Sequence, residues 1–183
     1  ARSGSSTTWV LSNHDVVRHA TRYGLPPIGV LASASERTTG EPVERAGASW
    51  LLSGGTAPAL DRDGGVRRAR AASLFLLGLP GSAYLYQGEE LGLHEVAGIA
   101  PERRQDPTFF RTEGAEIGRD GCRVPLPWTT QGAALGFGTA APHLPQPAWF
   151  ADSAVSVEDA EPASTLRLYR RALAARRALP SGE

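Results

Sequence analysis

The stretch that decides the reading is Trp9-Val10-Leu11-Ser12-Asn13-His14-Asp15-Val16-Val17-Arg18. Its first half is short and apolar. Its second half turns polar at once and sets an amide, an imidazole, a carboxylate and a guanidinium within six positions. A strand buried on both faces of a parallel sheet reads as a continuous apolar run. An abrupt change to polar residues at its carboxyl end marks either a working site or a loop in which Asp15 caps a following helix. The ten residues alone leave both open.

Downstream, residues 13–23 leave the strand, with room for a helical turn over 16–21. Residues 24–65 are rich in Pro, Gly, Ser, Thr and Ala and read as a long loop, anchored at Trp50-Leu51-Leu52. So long a loop is either functional or a flexible insertion. Residues 66–79 read as a helix, with Arg67, Arg68 and Arg70 early and Leu74-Phe75-Leu76-Leu77 late. That second half is apolar all round, which predicts burial. Gly78 and Pro80-Gly81 stop it, and a second strand follows over 83–86, with its exit running to residue 92. Residues 93–163 read as a second long irregular segment, in which Pro142, Pro145 and Pro147 forbid regular structure. Ser164 then caps a helix over 164–179, with Leu166, Tyr169 and Leu173 on one face. A strand, a crossover and a second strand make the class α/β. Two strands are too few to close a barrel.

Composition removes several alternatives. A chain of 183 residues with 41% hydrophobic and 21% charged residues is globular. Formal net charge is +0, which gives no reason to expect nucleic acid or an anionic membrane as partner. The basic residues are all Arg, and Met is absent. The single cysteine, Cys122, excludes an internal disulfide framework. No apolar run reaches the length of a membrane span. His14, His19, His94 and His143 lack metal-ligand spacing, and neither a cofactor nor a metal is expected. Because the chain does not start with Met, it is expected to be a piece of a longer one; a cytoplasmic location is the default expectation.

The stretch from Trp9 to Arg18, followed by Arg22-Tyr23-Gly24, resembles the seventh-strand motif of the α-amylase family of glycoside hydrolases, in its α-glucosidase branch. The run from Leu79 through Gln87-Gly88-Glu89-Glu90 to Gly92 is similar to that family's eighth strand and exit. Gly118-Arg119-Asp120-Gly121-Cys122-Arg123-Val124-Pro125-Leu126-Pro127-Trp128 is similar to its G-R-D-x-x-R-x-P-x-x-W signature. The resemblance implies the last part of a (β/α)8 TIM barrel, strands 7–8 and helices 7–8, incomplete and with long loops. Residues 9–23 would be the seventh strand and exit, 24–65 a loop, 66–79 a helix, 82–92 the eighth strand and exit, 93–163 a loop, and 164–179 the eighth helix.

Retaining cleavage of a glycosidic bond needs a nucleophilic carboxylate and a carboxylic acid. A further fixed carboxylate and donors to the sugar hydroxyls stabilise the cationic transition state. The resemblance makes Asp15 that third carboxylate and His14 a donor to the same hydroxyls. It makes Arg123 the guanidinium at the bottom of the glucose pocket. Arg18, one helical turn past Asp15, could line the next sugar site or pair with a nearby acid. Asn13 is expected to orient the strand end, Arg119 and Asp120 to form a local ion pair, and Trp128 to pack. Glu89 and Glu90 are adjacent and point to opposite faces of a strand; both are read as structural.

The departure is an absence. The family's nucleophile motif, G-F-R-x-D, and its general acid do not occur in these residues. The rest of the same barrel is therefore needed, and the isolated chain is expected to be inactive. The expected function is a fragment of a retaining α-glucosidase-type hydrolase acting on α-glucosides of short oligosaccharides. The alternatives are a transglycosylase or isomerase of the same family, of sucrose-isomerase or trehalose-synthase type, and a non-catalytic relative used as a binding scaffold.

Overall fold

The structure is a computed structural model and describes residues 7–26 and 43–178. Expectations touching residues 1–6, 27–42 and the stop beyond residue 178 lie outside the described residues.

The deciding stretch begins as a strand. β1 (Thr8–Val10) pairs in parallel with β2 (Ser82–Tyr84), Trp9 lying opposite Ala83. Parallel neighbours need a crossover. It runs through α1 (His19–Gly24), α2 (Val43–Leu52) and α3 (Arg62–Gly78), so the architecture is mixed α/β around a two-stranded sheet. Both strands are shorter than the sequence suggests. At Ser12 the chain has left the ladder and turned inward. The Ser12 hydroxyl accepts the His19 N–H at 3.0 Å and lies 2.8 Å from His19 Nδ1, which fixes the start of α1. That helix starts at His19, later than the turn expected over 16–21.

Two helices between the strands differ from expectation. Residues 24–65 contain α2, whose Trp50 and Leu51 are buried with Leu25 and Ala97 while Leu52 stays exposed. α3 begins at Arg62 instead of residue 66, capped by Asp61, whose carboxylate accepts the Gly64 N–H at 2.9 Å. Gly64-Gly65 read as loop but sit in the first turn because α1 crosses there. A Cβ on Gly65 would stand 2.3 Å from the Ala20 carbonyl oxygen. The apolar end of α3 is only half enclosed: Leu76 and Leu77 are buried, Leu74 and Phe75 are exposed.

Residues 93–163 are largely irregular, broken by α4 (Pro107–Arg111), α5 (Val155–Ala160) and short 3-10 turns. They nevertheless carry most of the core, in which Val96, Ile99, Val124, Leu126, Leu144 and Phe150 pack with Leu91, Leu93 and Leu166. Trp128, expected to pack, is about half exposed. α6 (Thr165–Ala178) is the last element of the described residues, with Ser164 accepting the Arg167 N–H at 3.1 Å and Leu166 and Tyr169 buried. Arg176 on α6 donates to the carbonyls of Leu77, Leu79 and Gly81, tying the end of α3 and the start of β2 to this helix.

Candidate active site

The turn after β1 holds the first half of the site. The Asn13 side chain accepts the Asp15 N–H at 2.8 Å, an Asx turn that fixes the backbone of His14 and Asp15. The residue capping α1 is Arg18, with no side-chain cap, so Asp15 is not the helix cap. Its carboxylate has His14 Nε2 3.3 Å from Oδ2 and Arg119 NH1 2.8 Å from Oδ1. The hydrogen bond from Arg119 is the main influence holding the Asp15 carboxyl below its usual range. Burial opposes it, and the charges of His14, Arg119 and Arg123 reinforce it.

Arg123 arrives from the 118–123 loop. Its Nε and NH2 both donate to the His14 carbonyl, at 3.1 and 3.0 Å, and NH2 lies 3.5 Å from Asp15 Oδ1. The planar fork therefore grips the turn that carries the carboxylate. His14, Asp15 and Arg123 come together at one lip; His14 and Asp15 are exposed and Arg123 is half-buried.

Arg18, read from the sequence as lining the next sugar site or pairing with a nearby acid, is placed away from the lip. It is 2% exposed. NH1 donates to the Gln87 carbonyl at 2.6 Å, NH2 to the Cys122 carbonyl at 2.8 Å, and the guanidinium lies over the Tyr86 ring. Its own N–H donates to Glu95 Oε2 at 2.9 Å. Arg18 thus staples the exit of β2 and the 118–123 loop to the end of β1. Burial pushes the Glu95 carboxyl up to about 7, against the charge and N–H of Arg18. It also pushes the Cys122 thiol up to about 12, which makes that thiol a poor nucleophile at neutral pH.

The expected pair of Arg119 with Asp120 does not form. Asp120 is buried, and its Oδ2 accepts the N–H groups of Gln105 and Asp106 at 2.9 and 3.1 Å. Arg119 turns the other way, with Nε 2.7 Å from Asp106 Oδ2. Asp106 is 2% exposed. Its carboxylate also accepts the N–H groups of Thr108 and Arg119, both at 2.9 Å. Burial alone would raise the Asp106 carboxyl; the hydrogen bonds from Arg119 and from the Thr108 and Arg119 N–H groups outweigh it and hold the group well below the carboxylate range. Sequence reading passed over Asp106, although Asp before Pro107 is a helix-start signal. Nothing local marked Glu95.

Beside the lip lies a cleft of about 930 Å³, walled by Asp15, Arg119 and Asp106 on one side and by Val17, Leu51 and Ile117 on the other. Behind β1 a separate buried polar chain runs from Ser12 through His19 and Glu89 to Tyr169 and Ser73, the Tyr169 hydroxyl lying 3.1 Å from Glu89 Oε1. Burial raises Glu89 to about 7 and lowers His19 to about 4, so both favour their neutral forms. Among the described residues no group of three His, Cys, Asp or Glu could hold a metal ion. No helix there is long and apolar enough to cross a membrane.

A family model for the alpha amylase catalytic domain matches residues 56–181. A probable alpha-glucosidase of Rhizobium meliloti (strain 1021) is 35% identical over 173 residues, covering 94% of this chain and 25% of its own length. The trehalose synthase/amylase TreS of Mycobacterium tuberculosis (strain ATCC 25618 / H37Rv) is 35% identical over 132 residues, 68% of this chain and 19% of its own. Among solved structures, the alpha-glucosyl transfer enzyme XgtA superposes with a TM-score of 0.68 at 35% identity, covering 96% of this chain and 26% of that one. MutB from crystals soaked with trehalulose gives 0.63 at 21%, over 96% and 29%, a likeness of fold alone. The chain spans about a quarter or less of the length of the curated relatives it matches.

Proposed function

Because this chain belongs to the α-amylase catalytic-domain family, we propose that it is the last part of the catalytic barrel, strands 7–8 and helices 7–8, of a retaining α-glucosidase-type hydrolase. Its substrates are α-glucosides of short oligosaccharides. Asp15 stabilises the positive charge that develops at the sugar ring, His14 donates to the hydroxyls that Asp15 also holds, and Arg123 closes the pocket against the terminal glucose. Arg18 holds the frame and does not touch sugar. The nucleophile and the general acid come from other strands of the same barrel.

The observation that carries this reading is the meeting of His14, Asp15 and Arg123 at one lip, although Arg123 lies 109 positions beyond His14. Two separate segments converge on a single carboxylate next to a cleft, and each segment holds its polar groups by backbone hydrogen bonds. Such preorganisation is what electrostatic stabilisation requires. A second reading is transfer or isomerisation instead of hydrolysis. It is favoured by the 35% identity to an alpha-glucosyl transfer enzyme, equal to that with the probable alpha-glucosidase.

The test is Asp15→Asn in the full-length enzyme that carries this chain. Loss of one preorganised stabiliser costs about 10²–10³ in rate, and the fall is expected mostly in kcat on maltose. A loss below about tenfold would remove Asp15 from the machinery. Product analysis with maltose and sucrose separates the two readings: free glucose in proportion to bonds cleaved means hydrolysis, and a rearranged or longer glucoside means transfer.

A further inference from the structure

The G-R-D triplet at 118–120 serves one buried group. Gly118 has a φ of +76°, and a Cβ there would stand 2.9 Å from Asp106 Cβ and Cγ, so only glycine lets the loop close over that side chain. Arg119 gives Asp106 both its N–H and its Nε. Asp120 fixes the backbone of the same turn by accepting the N–H groups of residues 105 and 106. Three consecutive residues thus converge on Asp106: Gly118 and Arg119 at its side chain and Asp120 at its backbone.

One arm is left over. With Nε held by Asp106, the Arg119 guanidinium has its plane fixed, and NH1 projects to Asp15 Oδ1 at 2.8 Å. We propose that Arg119, locked by Asp106, is a positioning residue for Asp15, and that the G-R-D triplet exists to aim this guanidinium. The inference rests on the reading of Asp15 as the transition-state stabiliser. A free arginine on a loop would lose much of its contact to rotamer entropy. A fork pinned at one tooth by a buried carboxylate does not. Among the described residues Asp15 is otherwise held by the Asx turn at its N–H, by His14 Nε2 3.3 Å from Oδ2 and by Arg123 NH2 3.5 Å from Oδ1, both longer than the Arg119 contact. Its carboxylate orientation therefore depends on Arg119. Among the described residues, the groups facing Asp15 are His14 on its own turn and Arg119 and Arg123 on the loop, with Asp106 behind the two arginines.

The experiment uses the full-length enzyme with Arg119→Gln, Arg119→Lys and Asp106→Asn, measuring kcat and KM on maltose across pH and the fraction of competent sites by active-site titration. Arg119→Gln is expected to lower kcat per competent site by tenfold or more, up to about the 10²-fold that a misplaced group can cost. KM should change little. The acid limb of the kcat/KM profile should move to higher pH, because Asp15 loses the partner that favours its charged form. Arg119→Lys keeps charge without the fork and should recover part of kcat. Asp106→Asn should act in the same direction although it does not touch Asp15; if it fails to fold, Arg119→Gln alone decides. A merely structural role would reduce the competent fraction and leave kcat per site and the pH profile in place, and that result overturns the inference. If Asp15→Asn itself proves harmless, the reading of the site has failed independently. The crystal structure of Arg119→Gln then judges the geometry: an Asp15 carboxylate still in its present position rejects the positioning role, and a displaced one upholds it.

Discussion

The two strands and the irregular segment that follows them reverse the usual division of labour. β1 and β2 are regular, yet Val10 is 49% and Tyr84 63% exposed. Residues 93–163 are irregular, yet Val124 and Phe150 are fully buried. A parallel sheet is normally covered on both faces, and in this pair only the central Trp9 and Ala83 are half-buried. The irregular segment is sealed because its backbone groups find side-chain partners. Arg18 takes the carbonyl of Cys122, Gln146 those of Pro125 and Ala134, and Asp120 the N–H groups of Gln105 and Asp106. Buried backbone must be paired by something, and here long polar side chains do what a sheet ladder does elsewhere. Regularity and burial are therefore separate properties in this chain.

The largest expected effect tests that separation directly. Phe150→Ala, in the sealed segment, should cost about 3–5 kcal/mol of unfolding free energy, the range for truncating a buried aromatic. Tyr84→Ala, in the regular strand, should stay within about 0.5 kcal/mol in the 183-residue chain, as for a surface change. If further barrel strands cover β2 in the full-length protein, the cost of Tyr84→Ala there should climb toward the 1.5–3 kcal/mol or so of a buried side chain. Urea denaturation of both variants in both contexts decides. Equal costs for the two sites in the short chain would mean that the strands are covered after all, by self-association.

A smaller effect sharpens the account of how the irregular segment is sealed. Arg18→Leu keeps apolar bulk and removes both carbonyl contacts. The Gln87 carbonyl can turn to water, since Gln87 is exposed, whereas the Cys122 carbonyl contact is buried. The Cys122 carbonyl keeps the Tyr86 hydroxyl as a donor at 3.0 Å, so what is lost there is a charge-assisted hydrogen bond, about 1.5–3 kcal/mol, and that is the loss expected in a denaturation experiment. KM for maltose in the surviving folded enzyme should not rise. A rise in KM without loss of stability would put Arg18 back among the sugar-binding groups.

The contrast also explains which parts were legible in the sequence. A strand through Trp9 and Val10, the helix cap at Ser164 and the apolar face of Leu166 and Tyr169 are local signals, and each appears in the structure. The start of α3 was hidden by Gly64-Gly65, which look like breakers unless the crossing of α1 at Ala20 is known. His14, Asp15 and Arg123 were named from a family resemblance, since nothing local links residues 109 positions apart. The direction in which Arg18 turns was not legible, because helical spacing from Asp15 says nothing about where a side chain points once the strand has ended. Asp106 and Glu95 escaped because their roles are fixed by loops that meet only in three dimensions.

The subtlest effect is a slope with pH, and it asks what kind of group lies beneath Arg18. Burial raises the Glu95 carboxyl to about 7, above its ordinary 4.5. A group raised on folding gives stability that is fully present below the unfolded value and is lost as pH rises through the folded one. Glu95 should therefore weaken the fold between about 4.5 and 7. His94, lowered by burial to about 4 from 6.5, works the other way: its contribution is present above 6.5 and is lost as pH falls through 4. Between 4.5 and 6.5 the two oppose each other, and the parent protein should show little slope from this pair. Glu95→Gln keeps an oxygen to accept the Arg18 N–H and removes only the falling contribution. The stability of the variant minus that of the parent should then rise with pH from about 4.5 to 7 and level off above. Denaturant midpoints measured across that window test the sign. If the difference stays constant with pH, Glu95 is ionised throughout, and the sealed segment is built on a buried ion pair with Arg18. If it rises, the core beneath the irregular segment holds a neutral carboxyl, and Arg18 keeps its charge for the carbonyls alone.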